Sequence, residues 1–163
     1  MLARLRSSQP PAYGADLIAR AMGALALIAL AVIHVVDLPS TLGPTPLVGI
    51  GYFGIIAAAL GAGAAMIARS HWLVWGAAGV VAVMAMGGYV LTRALRGGFL
   101  GDHGDVGNWH CPLGIAALSV ESVIVLLVLL VAAGAWQARI HAARMAVQHR
   151  PAARPAPEYS QSR

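Results

Sequence analysis

Four residues set in otherwise apolar surroundings carry most of the chemistry this chain can offer. Glu121 is the foremost: a carboxylate within a long apolar stretch, about 15 residues before Trp136. Burying such a group in hydrocarbon costs roughly 2.5–3.5 kcal/mol at a helix centre. It must face other protein groups and find a partner there, or give up its charge. His34 and Asp37 lie three residues apart, a spacing that puts both on one face of a helix. Arg93 leaves a third apolar stretch at a similar depth. Depth alone thus draws His34, Asp37, Arg93 and Glu121 toward one level, as an Arg93–Glu121 ion pair beside an interfacial histidine or as a ligand or metal pocket. A polar loop adds Asp102, His103, Asp105, His110 and Cys111, types that bind zinc, copper or iron. Their spacing matches no metal signature, and Gly104 after His103 and Gly107, two residues after Asp105, read equally well as turns.

The elements that must position these residues are apolar helices. The chain of 163 residues is 59% hydrophobic and 10% charged, with a mean hydropathy of +0.74. Soluble domains carry about 25% charged residues. Four stretches are long enough to cross a bilayer, at about residues 17–36, 47–68, 72–91 and 113–136. The fold class expected is all-α: a transmembrane four-helix bundle, up-down-up-down, with residues 1–15 as a lead and 139–163 as a basic, Pro-rich tail. Residues 37–46 read as a Pro- and Gly-rich loop, and 69–71 as a tight turn. A cleaved signal peptide fits the first stretch poorly, because no small-residue cleavage site follows it.

Orientation follows from arginine. There are eleven Arg and no Lys, and with both termini cytoplasmic nine of the eleven lie inside, leaving Arg93 and Arg96 outside. Arg20, near the start of the first span, is expected to snorkel to the headgroups. Trp72, Trp75 and Trp136 then mark the inner interface, and Tyr89 and Trp109 the outer one. The location implied is the plasma (cytoplasmic) membrane, multi-pass. Small residues every fourth position in the second span, Ala57, Gly61 and Ala65 with Gly54 and Ala58, are expected to form its packing face. Met84 and Met86 point to different helix faces and read as packing residues.

The segment YVLTRALRGGFLGDHGDVGNWHCPLGIAALSVE, residues 89–121, resembles a loose group of small four-span membrane proteins of actinobacteria. The likeness rests on His34, Arg93, the Gly-rich loop 97–108, Pro112-Leu113-Gly114 and Glu121. Where the group often has an acidic residue before the proline, this chain has His110-Cys111. The group has no assigned activity, so the resemblance implies a fold and no reaction.

With one cysteine, no internal disulfide, CxxC pair or CxxCH haem attachment can form. No basic stripe interleaved with aromatics is present, which argues against nucleic acid as a partner. The partners expected are the lipid bilayer and a homo-oligomer or larger membrane complex. No complete catalytic motif is present, which favours a non-enzymatic structural or accessory protein over an enzyme. The alternatives are a metal- or haem-binding redox protein, drawing on His34, His71, His103, His110, Cys111, Glu121 or His141, and a small dimeric transporter exchanging protons at Glu121. The cofactor is left open. Elemental analysis of gently purified protein separates the readings. The accessory protein is expected to carry no stoichiometric iron, copper or zinc, and one equivalent of any of them would overturn it in favour of the redox reading.

Overall fold

The computed structural model describes residues 11–69 and 71–148, which form four helices: α1 (Pro11–Leu42), α2 (Pro46–Ala68), α3 (Trp72–Ala94) and α4 (Pro112–Gln148). Each is long and apolar enough to cross a membrane. Helices suit that setting because they satisfy their own backbone groups where water cannot. Exposed Leu, Ile and Val side chains cover the outer surfaces of all four, as contact with acyl chains requires. The N-terminal lead 1–10 and the end of the tail, 149–163, lie outside the described residues. The chain divides into two compact units, residues 1–130 and 131–163. In the second, every side chain from Ala132 to Gln148 is exposed.

The first unit is built on small residues. Ala24, Leu27, Leu30 and Ala31 of α1 bury against α2, where Ala59, Ala62, Gly63 and Met66 are buried. Arg20 meets Met66 and Ile67, Leu27 approaches Gly63, His34 touches Tyr52, and Leu42 abuts Gly49. Numbers rise along one helix as they fall along the other, as in a hairpin. Lipid supplies no hydrophobic drive between helices, so close backbone approach and dispersion hold them together.

This packing face differs from the expected one. Ala57, Gly61, Gly54 and Ala58 are not buried, and nothing stands within 4 Å of a Cβ placed at Gly54 or Gly61. The small-residue rows on α2 are offset from one another by fractions of a turn, and the row that meets the bulky Leu27 and Leu30 of α1 is the one that packs. Trp75, expected at the interface, is buried, its ring beside Gly23 of α1. Met84 is exposed and Met86 half-buried, so Met84 is no packing residue in this unit.

The helix ends also depart from expectation. The loop foreseen at 37–46 shrinks to three residues, because α1 continues through Pro39 to Leu42. Proline removes one N–H from the ladder. The carbonyl that loses its donor is that of Val35; the nearby hydroxyls serve the turns beyond it, Ser40 and Thr41 donating to the Asp37 carbonyl at 2.7 and 3.1 Å and Thr45 to that of Thr41 at 2.8 Å. Asp37 is therefore a helical residue. Arg20 reaches across to the C-terminal end of α2, its Nε donating to Met66 O at 2.7 Å and its Nη2 to Ile67 O. Those carbonyls are among the four that a helix end leaves unmatched. The guanidinium also lies 3.8 Å from Asp16 one turn back. Arg20 is thus a cross-helix cap.

Gly49 and Gly54 test the packing face. A Cβ at Gly49 would stand 2.9 Å from the Leu42 Cα, a backbone atom that cannot yield cheaply. Gly49→Ala is expected to lower the melting temperature in detergent by several degrees, and Gly54→Ala to leave it unchanged or raise it. Equal responses would mean that the α1–α2 contact is misassigned.

Candidate functional site

Arg93 is the centre of the polar end of the first unit. It sits in the last turn of α3 with only 8% of its surface exposed. Its guanidinium is committed on every side. Nε donates to Asn108 O at 3.1 Å, and Nη1 to Thr92 Oγ1 at 2.7 Å and, more weakly, to Tyr89 O at 3.4 Å. Nη2 pairs with Asp105 Oδ2 at 3.2 Å, and the carbon of the group lies 3.8 Å over the Tyr89 ring. The planar fork of Arg serves several acceptors and one aromatic face at once.

These bonds fold the loop from Leu95 to Cys111 back over the end of α3. Gly107 N–H donates to the Arg93 carbonyl at 3.0 Å, and the Tyr89 hydroxyl to Trp109 O at 3.0 Å. Asp102, 5% exposed, accepts the Asp105 N–H, three residues on, at Oδ1 at 3.2 Å, a local side-chain-to-backbone bond of the kind Asp makes in turns. Gly98 holds φ +76°, and a Cβ there would strike the His103 ring. The loop rejoins α4 at Gly114, where the Tyr89 ring occupies the space of a Cβ.

His34 and Asp37 stand on α1, facing Tyr52 of α2. His34 is buried, with Nδ1 2.9 Å from Leu30 O. A carbonyl only accepts, so Nδ1 carries the hydrogen and the neutral ring presents the Nε2 lone pair. The Tyr52 ring meets the imidazole edge-on at 4.8 Å between centroids. Its hydroxyl donates to Asp37 Oδ2 at 2.9 Å, while Ser40 Oγ lies 2.9 Å from Oδ1, its one hydrogen shared between that oxygen and the Asp37 carbonyl.

Glu121, on α4, is 1% exposed, and its Oε2 has no hydrogen-bond partner among the described residues. The expected ion pair with Arg93 is not formed: Arg93 is turned toward the loop and taken by Asp105. The reason is reach. The loop residues lie beside the guanidinium at the end of α3, whereas Glu121 sits more than two turns into α4.

All four residues nonetheless line one cavity of about 440 Å³. His34, Asp37, Tyr52, Arg93 and Glu121 supply polar groups to its wall, and Asp102 and Asp105 enter from the loop. Ile33, Ile55, Leu113 and Ala117 are among its apolar lining. That size falls within the range of small-molecule pockets, and a largely apolar wall with a few convergent polar groups is their usual make-up.

The loop residues marked for metal do not gather. Among the described residues no three His, Cys, Asp or Glu side chains stand close enough to hold an ion. His103 and His110 are exposed, and Cys111 is a half-exposed free thiol. His71 serves as the N-cap of α3, its Nδ1 accepting the Leu73 N–H at 3.2 Å. His141 is exposed in the second unit. Tyr52 was missed by sequence reasoning. The signal was there: a phenol inside an apolar span needs a hydrogen-bond partner, and Asp37 is one turn from the end of the preceding helix.

Comparison with known proteins returned nothing: no family model, no curated protein and no solved structure matches the chain.

The two charged groups should answer differently to neutral replacement. Arg93→Gln strands Asp105 and the Asn108 carbonyl, and is expected to cost about 2 kcal/mol, read as a lower midpoint in denaturant and faster amide exchange at Gly107. Glu121→Gln removes an ionisable carboxyl whose Oε2 has no partner among the described residues, and is expected to leave the midpoint unchanged or raise it. A Glu121→Gln variant as damaged as Arg93→Gln would show that Glu121 does hold the fold together.

Proposed function

We propose that this chain is a multi-pass integral membrane protein, non-enzymatic and accessory in role, that holds a small molecule in a chamber beneath its outer face. The observation that carries this reading is the cavity where His34, Asp37, Arg93 and Glu121, from three helices, meet in one wall. Polar side chains are expensive in hydrocarbon and mark functional positions when they occur there. A purely structural role for Glu121 would call for a partner on each oxygen, and Oε2 has none among the described residues.

The topology in this proposal is up-down-up-down, with both termini cytoplasmic and the Leu95–Cys111 loop outside, in the plasma membrane. The arginine distribution supports it, as does the hairpin pairing of α1 with α2. The likeness of residues 89–121 to small actinobacterial four-span proteins belongs to the same proposal.

The test uses one cavity position. Nothing lies within 4 Å of a Cβ at Gly88, which lines the cavity, so a side chain fits there. In a Cys111→Ser background, Gly88→Cys is expected to react with a small membrane-impermeant methanethiosulfonate added to intact cells. Reaction only after the membrane is opened would reverse the orientation. No reaction in either state would remove the chamber.

A further inference from the structure

The cavity has an unbalanced wall. Four carboxylates line it, from Asp37, Asp102, Asp105 and Glu121, against the single guanidinium of Arg93. Arg93 already pairs with Asp105. The other carboxylates meet neutral donors or none. Asp37 accepts from the Tyr52 and Ser40 hydroxyls, Asp102 from a backbone N–H, and Glu121 Oε2 from nothing among the described residues. Hydroxyl and amide donors stabilise a carboxylate without cancelling its charge. His34 adds a lone pair, because its N–H is spent on Leu30. The wall is therefore rich in carboxyl groups and acceptors, with Arg93 its single permanent cation.

We infer that the chamber binds an organic cation, an ammonium group carried on an apolar body. The inference rests on the chamber reading above and names its ligand class. An inorganic ion fits less well. The acidic groups are dispersed, with no three ligand side chains close together among the described residues, whereas metal ions need converging donors. A molecule of some length can meet dispersed groups and fill the apolar remainder of about 440 Å³. Glu121 is the group that gains most. In a setting of low dielectric an unpaired carboxylate is costly, and a cation delivered beside it offsets that cost. The ammonium could arrive on a free amine from the outer solution or as the headgroup of an amine-bearing lipid.

The experiment titrates the full-length chain, purified in maltoside detergent, with benzyltrimethylammonium by calorimetry. Neopentylbenzene, in which carbon replaces the charged nitrogen, is the neutral control. Saturable binding of the cation is expected, weakened tenfold or more in Glu121→Gln and also in Asp37→Asn, while Glu121→Asp retains most of it. Displacement of the probe by phosphatidylethanolamine, but not by phosphatidylglycerol, would assign the ammonium to a lipid headgroup. No displacement would assign it to a free amine; both results uphold the inference. Equal affinity for the neutral control, or unchanged affinity in both Glu121→Gln and Asp37→Asn, would overturn it. So would the absence of cation binding, and Gly88→Cys then separates the two readings: a reactive cysteine leaves the chamber standing without this ligand, and an unreactive one removes the chamber itself.

Discussion

The bilayer core holds no water, and this one constraint orders the rest of the molecule. Each backbone group must be matched within the chain, so the spans are helices. Polar side chains need protein partners or a cavity, so His34, Tyr52, Arg93 and Glu121 of four helices turn inward, while the exposed Ser119 and Ser122 return their hydroxyls to carbonyls of α4 itself. The same constraint explains why helix ends are so carefully closed. Arg20 caps α2 from a different helix, hydroxyls finish α1 around Pro39, and Arg93 with Tyr89 secures the loop before α4.

The polar end of the first unit contains two arrangements of opposite character. Around Arg93 nearly every group has a partner, and the result is a folded loop fixed to the end of α3. Around Glu121 a buried carboxyl oxygen has no partner among the described residues. A protein selected only for stability would favour the first arrangement throughout, since an unmatched buried charge weakens a fold. Their coexistence within one cavity wall is what separates the chamber from a filled core.

Much of the fold was legible in the sequence, because transmembrane segments are set by length and apolar composition. The four helices fall where hydropathy puts them, with ends displaced by a few residues in α2 and α3 and by more in α1 and α4. The displacements involve local interactions that hydropathy does not weigh, such as the hydroxyl-to-carbonyl bonds in the last turns of α1. The depth argument brought His34, Asp37, Arg93 and Glu121 to one level, and they do line one cavity. It could not give rotation about each axis, and so it paired Arg93 with Glu121 in place of Asp105. Nor could it choose among parallel rows of small residues on α2, since that choice depends on the bulk presented by α1. Tyr52 escaped notice because an isolated tyrosine in an apolar span has no periodic signature.

The placement of His34 and Asp37 three residues apart on α1 bears on which sequence changes lineages of this protein can accept. A helix turns about 100° per residue, so inserting or deleting one residue between Leu30 and Asp37 would swing one member of the set toward lipid. The imidazole would lose the Leu30 carbonyl or Asp37 would lose Tyr52. The end of α4 from Ala132 to Gln148, by contrast, has every side chain exposed. Length variation among descendants of this chain should therefore accumulate beyond Ala132 and be purged from α1, even though α1 makes up the more monotonous part of the sequence.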